Sequence, residues 1–324
     1  MRDRKRRPWS RQLLSLLAVL ALVGGACASE DTGEQSLLEE LQEQGSVRIG
    51  IANEVPYGYE DEDGNVTGEA PEVAKAVLAE LGIDDVEAVV VDFGSLIPGL
   101  QAGRFDMIAA GMFINAERAE QMIFSDPDYC VSESFAVPEG NPDGLVDYPS
   151  VVENPDVTIA ILSGAVEEGY AETAGVPDDQ IELFPDVNAQ YDALEAGRVD
   201  AVTGTFLTVK TQTDDMDGFE AVDPFFPLDS YPDGEPILGC GGFGFLDQEF
   251  RDAFNAELKN LQADGTVKGI VTSFGFAEED VDLAEGLTVE DLVEDTEDTE
   301  DAGDGEESEE ESPDAEESPD ESDE

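Results

Sequence analysis

Along residues 36–277, apolar positions follow the helical period in some stretches and form short continuous runs in others. The continuous runs are typical of strands that are buried on both faces of a sheet. They predict strands over Val47–Ala52, Val86–Val91 and Phe105–Ala110. The helical stretches begin at Ser or Pro and stop at Gly, as helix termini commonly do. They predict a helix that begins with a capping box at Ser36 and ends before Gly45, a second that ends before Gly82, and a third that Ser95 caps and that ends before Gly103.

The same order of elements starts again at Val157. The second set comprises a strand over Val157–Leu162, a helix ending at Ala174, a helix over Asn188–Ala196 and a strand over Val199–Thr203. Residues 97–106 and 191–200 have similar sequence patterns. Each contains the end of a predicted helix, then Ala-Gly-Arg, and then an apolar residue and Asp at the start of a predicted strand. Two α/β halves of similar plan are therefore predicted, followed by an amphipathic helix over Gln248–Ala263.

The first 27 residues predict an export signal. A basic segment precedes the apolar run Leu13–Val23, which is too short to cross a membrane comfortably. The run ends in Gly-Gly-Ala before Cys27, which resembles a lipoprotein processing site at which Cys27 receives the lipid. A plain signal peptide with an incidental cysteine is the alternative, and Arg6-Arg7 leaves the choice between Sec and twin-arginine export open. Residues 28–35 would form a short tether outside the cell membrane.

Acidic residues dominate the chain and above all its end. Asp and Glu number 79 against 15 Lys and Arg, for a formal net charge of −64. Between residues 278 and 324, 26 of 47 residues are acidic and none is basic. Such a segment buries too little apolar surface to offset the entropy lost on ordering. A disordered acidic tail is therefore predicted over 278–324, as a solvated spacer or, alternatively, a metal-binding segment.

The composition also excludes several kinds of function. Only nine basic residues follow Cys27, which argues against nucleic acid as a partner. The chain has no histidine, and it shows no cysteine pair with zinc spacing and no phosphate-binding loop of the Walker type. We therefore expect no metal and no cofactor. The acidic balance suits an extracytoplasmic protein of a salty habitat, because dissolved cations screen its self-repulsion.

Arg118 is the leading candidate for a ligand contact. It ends the run Gly-Met-Phe-Ile-Asn-Ala-Glu-Arg, which leads into Phe-Ser-Asp-Pro at 124–127. A guanidinium is always charged, and its planar fork matches a carboxylate in two hydrogen bonds. By spacing alone, a surface arginine paired with Glu117 or Glu120 is the simpler interpretation. The flanking run, however, resembles the ligand-clamp segment of the family 3 extracellular solute-binding proteins of ABC importers, whose arginine grips the ligand carboxylate.

The resemblance covers nearly all of residues 36–276. It implies an α/β, two-lobed, periplasmic-binding-protein-like type II fold with a two-strand hinge, which holds a small solute in the interlobe cleft and delivers it to an ABC permease. The implied parts are lobe 1 over 36–129 plus 241–277 and lobe 2 over 130–240. The protein is expected to act as a monomer that reaches the membrane only through its lipid anchor.

Cysteines fall on both of the implied crossover strands, at Cys130 and Cys240. In an oxidising compartment they are expected to form a disulfide beside the hinge, with two buried free thiols as the alternative. The crossovers themselves are implied near 129–132 and 238–242.

Three segments narrow the resemblance to the ectoine/hydroxyectoine-binding lipoproteins, namely Ile51–Tyr57, Phe93–Arg104 and Phe113–Arg118. In those proteins a carboxylate meets the ring nitrogens, three aromatic rings cage the ligand and an arginine takes its carboxylate. The matching residues here are Glu54, Tyr57, Phe93, Phe113 and Arg118. Ectoine is a cyclic zwitterion with a delocalised amidinium, and each cation–π contact is worth about 0.5 to 2 kcal/mol. Taken singly, each aromatic residue is more typical of a core than of a cage.

Two further positions separate this chain from common amino-acid binders of the family. Those proteins carry Thr or Ser where Phe113 stands, and Asp where Thr205 stands, to hold the α-ammonium. The lobe 2 turn of the family usually carries Thr or Ser at the position of Val166, so this chain lacks a hydroxyl contact there, although the backbone N–H groups of Ala165 and Val166 at a helix start could still bind a carboxylate. Capture of ectoine or hydroxyectoine is therefore the predicted function. The alternatives are a polar amino-acid binder and a dehydratase-type enzyme with Glu54 as general acid.

Overall fold

The computed structural model describes residues 35–227 and 239–293. The strands are β1 (Ser46–Ile51), β2 (Tyr59–Glu60), β3 (Val66–Thr67), β4 (Asp85–Val90), β5 (Met107–Phe113), β6 (Ile123–Phe124), β7 (Tyr129–Val131), β8 (Glu133–Pro138), β9 (Ile159–Leu162), β10 (Ile181–Phe184), β11 (Ala201–Thr205), β12 (Phe219–Ala221) and β13 (Gly239–Phe245). The helices are α1 (Leu37–Gln44), α2 (Glu69–Glu80), α3 (Leu96–Gln101), α4 (Ala116–Ala119), α5 (Tyr148–Val152), α6 (Glu167–Ala174), α7 (Val187–Glu195), α8 (Phe206–Asp214), α9 (Gln248–Ala263), α10 (Thr266–Ser273) and α11 (Glu278–Ala284). The predicted signal segment and Cys27 lie outside the described residues.

Two sheets form the centres of two lobes. In lobe 1 the strand order is β4-β1-β5-β13-β6, with β7 also beside β13. In lobe 2 the order is β10-β9-β11-β8-β12. The βα strands of each sheet run parallel, whereas β13 in lobe 1 and β8 in lobe 2 run antiparallel to their neighbours. The predicted α/β architecture with two similar halves is confirmed.

Local signals at the two ends of lobe 1 are confirmed as well. The Ser36 hydroxyl accepts the N–H of Glu39 while the Glu39 carboxylate accepts the N–H of Ser36, so α1 starts with the predicted capping box. The helix ends at Gly45 in the left-handed region, at φ 68°. Helix α9 has the bounds predicted from its apolar face, because that face supplies fully buried residues such as Phe250 and Phe254.

Two element starts in lobe 1 differ from the prediction. The Ser95 side chain makes no capping hydrogen bond, because a short 3-10 helix over Phe93–Ser95 runs directly into α3. Strand β5 begins at Met107 and continues to Phe113 rather than ending at Ala110. Its extension is paired with β13, where Gly241 lies opposite Phe113. Because β13 lies more than 120 residues after β5, this pairing cannot be recognised from the pattern of apolar residues around β5.

A disulfide joins the two strands at the base of lobe 2. Cys130 on β7 lies directly opposite Cys240 on β13, with 4.0 Å between their Cα atoms. Both cysteines are fully buried. Because the two positions are 110 residues apart, the cross-link closes a loop that contains every described strand and helix of lobe 2.

The predicted disordered tail is wrong for its first part. Helix α11 and a helical turn over 289–293 continue the fold, and they bury Val281, Ala284 and Leu292. Lys268 pairs with acidic residues of α11, and the N–H of Val289 donates to Asp126 at 3.2 Å. The overlooked signal is apolar spacing of three residues, which the acidic composition concealed. The rest of the predicted tail, 294–324, lies outside the described residues.

A truncation series tests how much of the acidic segment after Ala277 contributes to stability. Ending the chain after Val293 should leave the melting temperature and the ligand affinity unchanged. Ending it after Ala277 removes buried Val281 and Leu292 and should lower the free energy of unfolding by about 3 kcal/mol. Thermal unfolding of both truncated proteins beside the full chain checks this, and equal melting temperatures for all three would contradict it.

Within the described residues, no helix combines the length and the apolar character that a membrane crossing needs.

Candidate functional site

A cavity of about 350 Å³, which includes the part open to solvent, lies between the two lobes. Its walls are formed by Glu54, Tyr57, Phe93, Gly111, Phe113 and Arg118 of lobe 1 and by Leu162, Ala165, Val166, Glu167 and Thr205 of lobe 2. All eight residues that the sequence proposes as ligand contacts are in this set, so the fold brings them together. Their contact with a ligand stays a prediction. Gly111, Leu162 and Glu167 are lining residues that the sequence did not suggest.

Arg118 presents a buried positive charge at one end of the cavity. Asn115 caps helix α4 by accepting the backbone N–H of Arg118, which fixes where the side chain leaves the helix. The guanidinium donates to the carbonyl oxygens of Phe113 at 2.8 Å and Gly164 at 2.9 Å. Among the ion pairs of the described residues none involves Arg118, so the surface alternative with Glu117 or Glu120 is wrong. Burial lowers the pKa of Arg118, and the negative charges of Glu167 and Glu117 oppose this shift.

Glu54 presents a carboxyl group to the same cavity from a tight loop after β1. The loop is closed by backbone hydrogen bonds in both directions between Glu54 and Gly58, and it contains a cis peptide bond before Pro56. The hydroxyl of Thr208 in lobe 2 donates to Glu54 Oε1 at 2.7 Å. Burial raises the pKa of Glu54 to about 7, and although the bond from Thr208 opposes the rise, the negative charge of Glu167 adds to it. Glu54 can therefore change its charge near neutral pH.

The aromatic lining residues pack against neighbouring side chains of the core and also line the cavity. Tyr57 and Phe113 both pack against Tyr129, with ring centroids 5.6 and 6.5 Å apart. Phe93 has its ring centroid 5.5 Å from the Arg118 Cζ atom, so it covers the guanidinium as well as the cavity. Each ring thus has packing neighbours that hold it in place while one side faces the cavity.

Gly111 is the residue that makes room for the aromatic wall. It lies in β5 with φ +64°, a conformation that residues with a side chain rarely adopt. A Cβ atom at this position would stand 2.3 Å from Cδ1 of Tyr57. Only glycine lets the Tyr57 ring lie flat against the strand, and a glycine within an apolar strand is the sequence signal for such an approach.

The lobe 2 turn before α6 departs from the predicted backbone site. The N–H of Ala165 already donates to the carbonyl of Leu162 at 3.0 Å. The N–H of Val166 has no acceptor among the described residues. Val166 therefore has the freer donor of the two, and contact of either N–H group with a ligand stays a prediction.

The lobes touch each other at the rim of the cavity. A Cβ atom on Gly164 of lobe 2 would stand 2.8 Å from the Cα atom of Gly94 in lobe 1. Together with the Arg118–Gly164 and Glu54–Thr208 hydrogen bonds, this contact describes a closed arrangement. Two glycines at the contact permit a closeness that side chains would prevent.

Thr205 and Thr208 work as a unit at the start of α8. The Thr205 side chain caps the helix by accepting the N–H of Thr208 at 3.3 Å, and Thr208 then directs its own hydroxyl to Glu54. Thr208 is a contact of Glu54 that the sequence reasoning missed, because helical threonines are common and its partner is 154 residues away. Within 35–227 and 239–293, no three acidic, histidine or cysteine residues are placed to hold a metal ion.

Comparison with known protein families identifies the class of protein to which this two-lobed chain belongs. The profile of the bacterial extracellular solute-binding proteins, family 3, matches residues 47–277. The chain belongs to this family. It is therefore a two-lobed substrate-binding protein of an ABC transporter, as the sequence resemblance predicted, and its relatives are extracellular or periplasmic solute-binding proteins.

Individual members of the family give further detail. A probable amino-acid ABC transporter periplasmic-binding protein, y4tE of Sinorhizobium fredii, is 35% identical over 259 residues, which cover 79% of this chain and 85% of that protein. The crystal structure of EhuB in complex with hydroxyectoine has a TM-score of 0.71 and 37% identity, and covers 79% of this chain and 97% of that one. The cyclohexadienyl dehydratase of Pseudomonas aeruginosa is only 25% identical over 220 residues, 68% of this chain and 80% of that protein. The family assignment thus supports a binding protein and not an enzyme.

Proposed function

We propose that this protein captures ectoine or hydroxyectoine in its interlobe cavity and delivers it to an ABC permease. The observation that carries the proposal is the buried guanidinium of Arg118, which has no ion pair among the described residues, in one cavity with the acids Glu54 and Glu167 and with aromatic walls. Groups of both charges in one cavity suit a compact zwitterion. The likeness to EhuB, whose structure contains hydroxyectoine, supports the same ligand class.

Each chemical group of such a ligand has a counterpart in the cavity. Arg118 offers a planar pair of donors for the carboxylate. Glu54 offers an acceptor for the N–H groups of a cyclic amidinium, and the faces of Tyr57 and Phe113 suit a delocalised cation. Thr205 stands where common amino-acid binders of the family carry an acid, so the site lacks that contact for a free α-ammonium group.

A polar amino acid is the second candidate, and one lining residue favours it. Glu167 lies on the lobe 2 wall close to Gly204, next to Thr205, since a Cβ atom on Gly204 would stand 3.9 Å from its Oε1. A carboxylate there could hold an α-ammonium in place of the missing acid. The relative y4tE, named a probable amino-acid binder, agrees with this alternative.

Calorimetric titration of the mature protein separates the two candidates. We expect heat and stoichiometric binding with ectoine and hydroxyectoine, and little heat with glutamate, arginine or a neutral cyclic analogue. Release of the unmodified solute would also separate a carrier from a dehydratase. Tight binding of glutamate or arginine with no heat from ectoine would replace the first candidate with the second.

The cell-surface attachment is part of the proposal. Cys27 would carry the lipid, and residues 28–35 would connect it to the folded lobes as a monomer at the outer face of the cell membrane. Changing Cys27 to alanine should release the protein into the medium, and sedimentation of the mature chain should give a single monomeric species. Retention of the variant in the membrane fraction would contradict the lipid anchor.

Ligand affinity is expected to rise with pH between about 5.5 and 8. Burial raises the pKa of Glu54 to about 7 in the closed cavity, where Thr208 donates to it from lobe 2 and where Glu167 and Arg118 are the other charged lining residues. A bound cation favours ionised Glu54, so binding below pH 7 must release a proton. Affinity should therefore fall by roughly tenfold at pH 5.5, since up to one proton is linked to binding.

Calorimetry in two buffers of different ionisation enthalpy measures the released proton directly. Glu54→Gln should weaken binding at pH 8 and remove most of the pH dependence. A variant that kept the wild-type pH profile would show that Glu54 is not the titrating group.

A further inference from the structure

A second carboxyl group faces the cavity from lobe 2, and a third stands behind it. Glu167 is the first residue of α6 and lies on the cavity wall with 6% of its surface exposed. Glu133 is the first residue of β8, is 1% exposed and lies opposite Thr205 in the β8–β11 register. Both acids therefore belong to the part of lobe 2 that closes over the ligand space.

The two carboxyl groups are stable side by side only if they share a proton. Neither oxygen of Glu133 has a hydrogen-bond partner when both acids are ionised, since carboxylates accept and do not donate. Burial raises the pKa of Glu133 well above its usual value, and the charge and the hydrogen bond of Glu167 raise it further. Burial also raises the pKa of Glu167, but a hydrogen bond from its own backbone N–H, the charge of Arg118 and the hydrogen bond with Glu133 lower it. A proton on Glu133 would let this acid donate a hydrogen bond to Glu167 and would remove the repulsion between the two groups.

We propose that Glu167 is a second acidic contact for the cationic group of the ligand, and that Glu133 is the positioning residue that holds Glu167 against the cavity. The inference rests on the proposed function, because it assigns the lobe 2 half of the same site. A carboxylate that accepts one hydrogen bond from behind has its remaining lone pairs directed elsewhere, and the cavity is the open direction.

The placement of the two cavity acids on different lobes makes closure depend on the charge of the ligand. Glu54 comes from lobe 1 and Glu167 from lobe 2, and each lines the closed cavity. Closing without a cation brings the two carboxylates together in a poorly solvated space, where like charges repel strongly. An amidinium between them offers one N–H group to each acid and removes the repulsion.

Selection of charged ligands follows from this arrangement. A neutral analogue of the same shape can occupy the aromatic walls but leaves the Glu54–Glu167 repulsion in place. The cation therefore contributes to binding twice, through its contacts and through the closed state that it permits. Glu167 is thereby a specificity-determining residue, and Glu133 affects specificity only through it.

The first experiment compares four variants by calorimetry with ectoine at pH 8. Glu167→Gln should weaken binding by tenfold or more, since it removes a charged contact. Glu133→Gln keeps a donor toward Glu167 and should bind within about twofold of wild type, whereas Glu133→Met has a similar length without a donor and should lose about tenfold. Glu172→Gln is the control, because it makes the same charge change at an exposed position of α6.

The results for Glu133 distinguish positioning from a general structural role. Rescue by glutamine but not by methionine supports the proposal, and equal losses in the two variants would overturn it. If Glu133→Met does not fold, the Glu133→Gln variant still tests the proposal. A tenfold loss of affinity in folded Glu133→Gln would contradict a role of Glu133 as hydrogen-bond donor. Wild-type affinity in Glu167→Gln would also overturn the proposal.

The second experiment needs no ligand and is therefore independent of the ectoine assignment. Small-angle scattering of the ligand-free protein at pH 8 should show a more compact average for Glu167→Gln than for wild type or Glu172→Gln, because removing the repulsion favours closure. Equal scattering from the three proteins would overturn the closure mechanism. If ectoine gives no heat with wild type while scattering shows the expected compaction, the proposed ligand fails and the electrostatic control of closure stands.

Discussion

Arg118→Ala is expected to weaken ectoine binding by about 1.5 to 3 kcal/mol, which corresponds to roughly 10- to 150-fold. The change removes a charge-assisted contact inside a cavity from which most water is excluded. It also removes the hydrogen bond to Gly164, which connects the two lobes at the rim. Binding and closure are therefore both weakened.

Calorimetry of a short variant series tests this expectation. Arg118→Lys should recover only part of the loss, because an ammonium lacks the planar fork and cannot donate to Phe113, Gly164 and a carboxylate in the same geometry. Arg198→Ala is the matched control, since Arg198 is an exposed arginine that pairs with Glu182 away from the cavity. Undiminished affinity in Arg118→Ala, with the control also unchanged, would exclude Arg118 as the carboxylate contact.

Loss of the Cys130–Cys240 disulfide is expected to lower the free energy of unfolding by about 4 to 5 kcal/mol. In the chain-entropy account, a cross-link restricts the unfolded chain more as the closed loop lengthens, and about 100 residues correspond to this amount. The separation here is 110 residues. The folded structure should change little, because β7 and β13 remain paired through backbone hydrogen bonds.

Thermal unfolding of the Cys130→Ala/Cys240→Ala protein checks the disulfide prediction. A domain of this size shifts its melting temperature by about 2 to 4 °C per kcal/mol, so a decrease of roughly 10 °C is expected. Reductant should lower the melting temperature of wild type toward that of the double variant and leave the variant unchanged. Equal stability with and without the cross-link would contradict the prediction.

Sequence reasoning succeeded where a signal is local and repeated. The bounds of α9 follow from an apolar face that is continuous over its four turns, and α1 follows from a capping box and a terminal glycine. The predicted site residues share one cavity because they lie in loops or at the ends of strands and in the first turns of helices where the two lobes meet. The motif around Arg118 contained the information for that placement.

The contacts that the sequence did not reveal join distant parts of the chain. Thr208 reaches Glu54 across the cleft, and Glu133 supports Glu167 from a neighbouring strand. No local period records such pairs, because they arise only when two separately folded lobes meet. The helical segments after Ala277 were missed for a different reason, since their charge outweighed the spacing of a few apolar residues.

Lobe 2 is an insertion, or cassette, between two strands of lobe 1, and the disulfide links the two ends of this insertion covalently. Its residues leave lobe 1 after Val131 and return at Gly239, and the cross-link lies one residue inside each boundary. The cassette supplies Glu167 and Thr205, while the host lobe keeps Arg118. Natural recombination or laboratory grafting at this base would therefore exchange the Glu167 side of the pocket and retain Glu54 and Arg118 of lobe 1, so that new ligands could arise by replacing one segment.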